Sequence, residues 1–179
     1  MSNKILMLSF LFTLLVSASA WAQNSNAARQ SPAATATGEI GEANITIKYS
    51  SPSVRGRKIW GELVPYGQVW RAGANQATVF QTDKAITVEG KQLLAGNYSL
   101  FAIPGENEWQ FIFNAESGQW GVKRSGEANR DPAKDVLTVT VKPVASSTMN
   151  ERLVYDVTDN GFVLRWEHLE VPVSIREGN

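Results

Sequence analysis

The stretch NYSLFAIPGENEWQFIF, residues 97–113, decides the fold class of this chain. Its first seven residues place apolar side chains on both alternating faces, which is typical of a central β-strand. Pro-Gly-Glu-Asn at residues 104–107 is a turn signal. Trp109, Phe111 and Phe113 then fall on one face of a following strand. The stretch therefore predicts two consecutive strands that supply large aromatic side chains to an interior.

Strand patterns continue on both sides of that stretch. Upstream, Ile45, Ile47 and Tyr49 alternate with polar residues, the period of a strand with one buried face. Residues 114–134 contain several glycines and an Asp-Pro pair, which predicts a long loop. Further strands are predicted at residues 79–82, 85–89, 135–144, 153–157, 162–166 and 171–175. No segment has the periodicity of an amphipathic helix, so we expect a single antiparallel β-sandwich, immunoglobulin-like or jelly-roll-like.

The composition excludes several kinds of chemistry. The 179 residues include 17 basic and 17 acidic side chains, so a strong field for nucleic acid is not expected. The chain has no cysteine, which excludes disulfides, thiolate nucleophiles and cysteine-type zinc sites. With His168 as its single histidine, it also lacks the ligands of a histidine-rich metal site. We expect neither a metal nor a cofactor.

The first 22 residues follow the pattern of a secretory signal peptide. Lys4 supplies the positive charge, residues 5–16 are apolar, and Ala20-Trp21-Ala22 offers small residues for cleavage after Ala22. The apolar run is shorter than the roughly 20 residues that a membrane-spanning helix needs. We therefore expect a periplasmic or secreted protein of bacterial origin without a membrane span in its mature form.

Residues 23–42 are predicted to be a disordered, low-complexity linker. The part that reads QNSNAARQSPAATATG contains no aromatic and no branched aliphatic side chain, so it buries too little apolar surface to offset the entropy of ordering. The folded all-β domain is then expected to span residues 43–176.

The segment IWGELVPYGQVWRAGANQATVF, residues 59–80, is more particular than strands and turns require. Together with SPSVRGR, LLAGNYSLFAIPGENEWQFIFN, QWG and DPAKDVLTVTVKP, it resembles the bacterial family known as domain of unknown function 2911. The most specific match is the run PYGQVWRAGANQAT, residues 65–78. The resemblance covers about residues 43–175. It implies that these residues form the domain and that the protein is exported, and the family has no assigned activity to carry over. A smaller likeness, LAGNY at residues 94–98, is to the corner of extracellular immunoglobulin-like sandwiches.

The candidate ligand-binding residues lie mainly in the loop around that specific run. Long loops of a sandwich are more available for function than its strands, whose side chains are committed to packing. Arg71 offers a planar set of donors for carboxylate, phosphate or sugar oxygens, and Asn75 follows a Gly-Ala turn. The complete candidate set is Trp70, Arg71, Asn75, Tyr66, Arg55 and Arg57. An alternative interpretation pairs Arg71 with a buried carboxylate such as Glu62 and gives Asn75 only a left-handed turn conformation.

The tryptophans of the mature chain have two possible roles. Trp109 and Trp166 lie in strand patterns and are predicted to fill the core. Trp60, Trp70 and Trp120 lie in glycine-flanked segments, where an indole either packs or stacks on a sugar ring.

Three functions remain open at this point. The leading hypothesis is a non-catalytic exported binding or interaction module for a small ligand, a glycan or a partner protein. A hydrolase using carboxylates or His168 is the first alternative, although no pair of carboxylates has a defined separation and no nucleophile elbow is present. A structural envelope protein is the second. We assign no catalytic residue.

Overall fold

The computed structural model describes residues 30–178, and these form ten β-strands. The first five are β1 (Ala33–Ile40), β2 (Ala43–Ser50), β3 (Thr78–Thr82), β4 (Ile86–Val88) and β5 (Lys91–Leu93). The second five are β6 (Gly96–Ile103), β7 (Trp109–Asn114), β8 (Asp135–Val141), β9 (Val144–Thr158) and β10 (Gly161–Glu177). The helical content of the described residues is one 3-10 turn, Pro132–Lys134. None of their helices is long and apolar enough to cross a membrane.

The strands form two antiparallel sheets that are not closed into a barrel. The larger sheet has the order β1-β2-β3-β6-β7-β8, and the smaller has the order β5-β4-β10-β9. The stretch that predicted the fold forms the β6–β7 hairpin, with Leu100 opposite Phe113 and Ala102 opposite Phe111. The predicted all-β sandwich is confirmed.

The predicted linker is wrong for Ala33–Ile40, which form strand β1. This strand pairs with β2 over its whole length, from Ala33 opposite Ser50 to Ile40 opposite Ala43. The ladder satisfies its backbone groups, and Ala34 and Ala36 pack against the core, so small side chains suffice. The signal-peptide prediction for residues 1–22 and the linker prediction for residues 23–29 fall outside the described residues.

The main core lies between the two sheets. Ile45, Ile47 and Tyr49 of β2 are buried there, as their alternation predicted. Trp109 and Trp166 are also buried, which confirms their assignment to the core. The fully buried phenylalanines of this core are Phe80, Phe111, Phe113 and Phe162.

A second, smaller core explains why β6 is apolar on both faces. Phe101 and Ile112 are buried in a cluster separate from the main core, and Ala128 of the loop after β7 packs against it. Residues 115–131 form no strand, as predicted, and the Ala77 amide donates to the Gln119 carbonyl oxygen at 3.1 Å. This loop, which we call the covering loop, thus shields the outward-facing Phe101 of β6 and Ile112 of β7 from water.

Tyr98 has the geometry of a tyrosine corner. Its hydroxyl donates to the Leu94 carbonyl oxygen at 2.9 Å, and a β-carbon on Gly96 would lie 3.0 Å from that hydroxyl. The likeness of residues 94–98 to immunoglobulin-like corners is therefore reproduced in the local structure.

Candidate functional site

Most of the candidate residues line one cleft at the end of the sandwich. It has a volume of about 190 Å³. Trp70, Arg71, Arg55 and Arg57 all contribute to its walls. The remaining lining residues are Gln30, Ser31, Pro52, Ser53, Leu63, Val64, Gly73, Ala74 and Trp166. The described lining therefore holds three arginines and no carboxylate. We call this cavity the arginine cleft.

One wall of the arginine cleft is fixed on the smaller sheet. Val54 donates its amide to the Glu151 carbonyl oxygen at 2.7 Å, and Leu153 donates to the Pro52 carbonyl oxygen at 2.9 Å. The Ser51 hydroxyl adds a buried bond to the Leu153 carbonyl oxygen at 2.7 Å. The segment after β2 is therefore held against β9 before it reaches Arg55.

The opposite wall is fixed by a buried tyrosine and a buried threonine. The Ala72 carbonyl oxygen accepts from both the Tyr155 hydroxyl and the Thr78 hydroxyl, each at 2.9 Å. Burial raises the pKa of Tyr155 well above its ordinary value, so this hydroxyl remains a donor. Ala72 itself has a φ of 53°, a conformation that these bonds hold in place. The backbone next to Arg71 is therefore rigid.

The side chain of Arg71 has no hydrogen bond and no ion pair within residues 30–178. Its Nε atom is buried and faces no acceptor. Burial lowers the pKa of the guanidinium, because no nearby anion compensates the lost hydration. Glu62, the carboxylate suggested as its partner, instead lies 3.3 Å from Lys58 Nζ in an exposed ion pair. The alternative that pairs Arg71 with Glu62 is wrong.

Arg55 and Arg57 also line the cleft, and some of their side-chain donors are bound within the domain. Arg57 donates to the carbonyl oxygens of Val54 at 3.0 Å and Ser53 at 2.6 Å. Arg55 contacts the Gln30 carbonyl oxygen at 3.5 Å, and its backbone amide donates to Glu151. Arg71 differs from both, because its side chain makes no hydrogen bond within residues 30–178.

Asn75 has a structural role, of which the sequence indicated the turn conformation but not the side-chain bonds. Its φ is 59°, the left-handed turn conformation considered for it. Its side-chain amide donates to the Ser31 carbonyl oxygen and to the Ser50 hydroxyl, both at 3.2 Å. These bonds connect the loop to one end of the β1–β2 ladder, to Ser31 just before β1 and to Ser50, the last residue of β2. The amide is therefore engaged within the domain instead of pointing into the arginine cleft.

A second cavity adjoins the arginine cleft and contains a residue that the candidate set omitted. It has a volume of about 520 Å³ and shares Gln30, Ser31, Arg71 and Ala74 with the cleft. Its far side is formed by Asn75, Gln76 and Trp120. The Trp120 side chain is 53% exposed, the most exposed tryptophan of the described chain. Its glycine-flanked position was the one signal in the sequence for such a role. We call this cavity the Trp120 cavity.

Tyr66 lies away from both cavities. It is 40% exposed and packs beside Gly61, where a β-carbon would lie 3.1 Å from its Cε2 atom. Neither cavity includes Tyr66 in its lining. Its place in the candidate set is therefore not supported by proximity to Arg71.

The floor of the arginine cleft belongs to a cluster of four tryptophans. Trp60 packs edge-to-face on Trp109, with ring centroids 4.9 Å apart, and Trp70 stacks on Trp166 at 6.1 Å. Trp70 also exchanges two backbone hydrogen bonds with Ala102, at 2.7 and 2.8 Å. Trp60 is buried and Trp70 is partly buried, so both serve packing. The cluster gives the cleft a rigid apolar floor.

His168 lies elsewhere, in a β-bulge of β10. The bulge is seen as a register shift around Glu167, whose φ is 55°. The His168 side chain is exposed, with Nδ1 3.4 Å from the Ser146 carbonyl oxygen. Among the described residues, no group of three or more histidine or acidic side chains is arranged to hold a metal ion.

Comparison with known proteins places the chain in a family without identifying a relative of known activity. No curated protein and no solved structure matches the chain. A family model described as "Protein of unknown function (DUF2911)" matches residues 31–175, which include β1 and every residue of both cavities except Gln30. The chain belongs to this family of proteins of unknown function, DUF2911.

Proposed function

We propose that this protein is an exported, non-catalytic binding module that holds a small anionic ligand in the arginine cleft. The observation that carries the proposal is Arg71, a partly buried guanidinium that lacks a partner within residues 30–178. Proteins rarely bury a cation without an anion, because the lost hydration is costly. An anionic ligand would offset that cost.

The charge of the lining supports the same proposal. Arg55, Arg57 and Arg71 face the cleft, and no described aspartate or glutamate does. The guanidinium of Arg71 has a planar set of donors that matches carboxylate and phosphate oxygens. The rigid floor and walls hold those donors in place before a ligand arrives, which reduces the entropy lost on binding.

The chemistry of the lining favours binding over hydrolysis. General acid–base catalysis needs a titratable group within hydrogen-bond reach of the reacting atoms. The described lining offers arginines, serines and a glutamine, while His168 lies in the bulge of β10. Export to the periplasm or beyond the cell is part of the proposal and rests on the pattern of residues 1–22.

The proposal is tested by thermal shift with three simple anions at constant ionic strength. Sodium acetate, phosphate and sulfate are each compared with sodium chloride on the wild type, on Arg71→Gln and on Arg176→Gln. Arg176 is an exposed arginine of β10 and provides the matched control. We expect at least one anion to raise the Tm of the wild type and of Arg176→Gln, and to leave Arg71→Gln unchanged. Equal shifts in all three proteins, or none in the wild type, would refute it.

A further inference from the structure

The arginine cleft and the Trp120 cavity together indicate the chemical class of the ligand. Arg71 lines both, and they also share Gln30, Ser31 and Ala74, so one ligand can occupy them together. We propose that this ligand is a saccharide that carries a carboxylate, with its carboxylate on Arg71 and its ring against Trp120. This inference rests on the proposed function.

The carboxylate is favoured because Arg71 is the one guanidinium of the lining whose side chain makes no hydrogen bond within residues 30–178, and its Nε is buried. Arg57 is bound to two carbonyl oxygens and Arg55 contacts Gln30. A planar, singly charged carboxylate is satisfied by one guanidinium in a two-point contact. A phosphate carries more charge and more acceptor oxygens, and is usually held by several donors together, such as the amides of a helix N-terminus. Within residues 30–178, neither cavity is lined by a helix.

The saccharide is favoured by the surroundings of that carboxylate. Trp120 presents a half-exposed indole whose face can cover the apolar side of a sugar ring, and its ring nitrogen has no partner in residues 30–178. Gln30, Ser31 and Gln76 line the Trp120 cavity with amide and hydroxyl groups suited to sugar hydroxyls. A cavity of about 520 Å³ is of the size that holds a small organic ligand.

The position of Trp120 is fixed by the covering loop. Its carbonyl oxygen accepts from the Asn129 side chain at 3.0 Å, and the following residue, Gly121, donates its amide to the Asn75 carbonyl oxygen at 3.0 Å. Gln76 and Trp120 form an isolated antiparallel bridge. The indole and the guanidinium are therefore carried by two segments that are hydrogen-bonded to each other, which preserves the distance between them.

Ligand titrations followed by amide NMR on the full mature chain test the inference. D-glucuronate, D-galacturonate and N-acetylneuraminate are compared with D-glucose, D-galactose, acetate and phosphate. Wild type, Arg71→Gln, Arg71→Lys, Trp120→Ala and the control Arg176→Gln are used, and their spectra report whether each variant is folded. Arg71→Lys keeps the charge and removes the planar pair of donors, so it remains informative if Arg71→Gln folds poorly.

We expect at least one acidic sugar to bind the wild type tenfold more tightly than its neutral counterpart and than acetate. Arg71→Gln and Arg71→Lys should lose at least tenfold for that sugar. Trp120→Ala should lose a similar factor for the sugar and keep its affinity for acetate.

Other outcomes overturn the inference, and they separate it from the proposed function. If acetate binds through Arg71 as tightly as every acidic sugar, the site binds anions but the assignment of a saccharide ligand is wrong. The same conclusion follows if phosphate binds more tightly than all of the acidic sugars. If neutral sugars bind as tightly as the acidic sugars, and do so independently of Arg71, the proposed contact between a ligand carboxylate and Arg71 is wrong. If no compound binds the wild type, the proposed function fails together with the inference.

Discussion

Gly121 of the covering loop lies directly against the side chain of Arg71. A β-carbon on residue 121 would overlap Arg71 Cδ and would lie 2.8 Å from the Asn75 carbonyl oxygen. Glycine at this position therefore allows the covering loop to hold the arginine stem from the side. This contact joins two sequence segments, WRAGAN and QWG, that lie about 50 residues apart.

Gly121→Ala should therefore displace Arg71 and weaken ligand binding without touching the ligand. We expect a loss of about 1–3 kcal/mol in the free energy of unfolding, the usual cost of overpacking. Urea denaturation and anion titration measure the two effects. Gly126→Ala is the control for binding: residue 126 lies in the same loop with no atom near its β-carbon position, so its φ of 90° should cost stability while anion binding is kept. Anion binding as strong in Gly121→Ala as in the wild type would contradict the role of Gly121.

Arg71→Met should increase stability while it removes binding. The substitution replaces an unpaired, partly buried cation with an apolar side chain of similar length, so a desolvation cost disappears. We expect a gain of about 0.5 kcal/mol or more in the free energy of unfolding, measured by urea denaturation. A loss above about 2 kcal/mol would instead show that Arg71 stabilises the fold, as the structural-protein alternative requires.

Asn75→Ala should destabilise the domain, because it removes both bonds of the side-chain amide and leaves alanine at a φ of 59°. We expect a loss of about 1–3 kcal/mol. Asn75→Gly removes the same bonds but tolerates the backbone conformation, so it should be less destabilised than Asn75→Ala by about 1 kcal/mol. Chemical denaturation of both variants gives these values. An Asn75→Ala variant as stable as the wild type would show that the bonds to Ser31 and Ser50 are unimportant.

Asp83 should make the stability of the domain depend on pH in the acid range. Its carboxylate accepts from the Asn44 side chain at 2.6 Å and from the Asn44 backbone amide at 2.7 Å, and these bonds lower its pKa. The contribution is present above the ordinary aspartate value of about 3.9 and is lost as the pH falls through the lowered pKa of the folded state.

Asp83→Asn should thus be less stable than the wild type at pH 7, and the difference should disappear in strong acid. Thermal denaturation between pH 2 and about pH 7 follows this change. Asp159→Asn, in the exposed β9–β10 turn, serves as the control. A difference between wild type and Asp83→Asn that is the same at every pH would contradict the assignment.

The alternation of side chains predicted the sandwich because it records directly which face of each strand is buried. Ile45, Ile47 and Tyr49 point into the core as their pattern indicated. Strand β1 was missed because its alanines and threonines carry little apolar signal. It is ordered by backbone hydrogen bonds to β2, and this pairing cannot be predicted from the side chains of β1 alone.

The candidate site was predictable only in part. The run around Arg71 identified the loop, but the partners of each side chain come from distant segments. Asn75 bonds to Ser31, and the stem of Arg71 packs on Gly121, contacts that no local pattern reveals. Trp120 had an ambiguous context, and its exposure becomes clear only when the covering loop is placed on the sheet.

The resonance of the Arg71 side-chain Nε–H group gives the most direct test of the central claim. This group is buried and faces no acceptor, so its hydrogen should exchange slowly enough to be observed in a ¹⁵N-correlated spectrum. The resonance is assigned to Arg71 because it should be missing from the spectrum of Arg71→Lys. The account predicts that this resonance moves saturably when acetate or D-glucuronate is added at constant ionic strength. A signal that stays in place while the protein remains folded would contradict an anion site at Arg71.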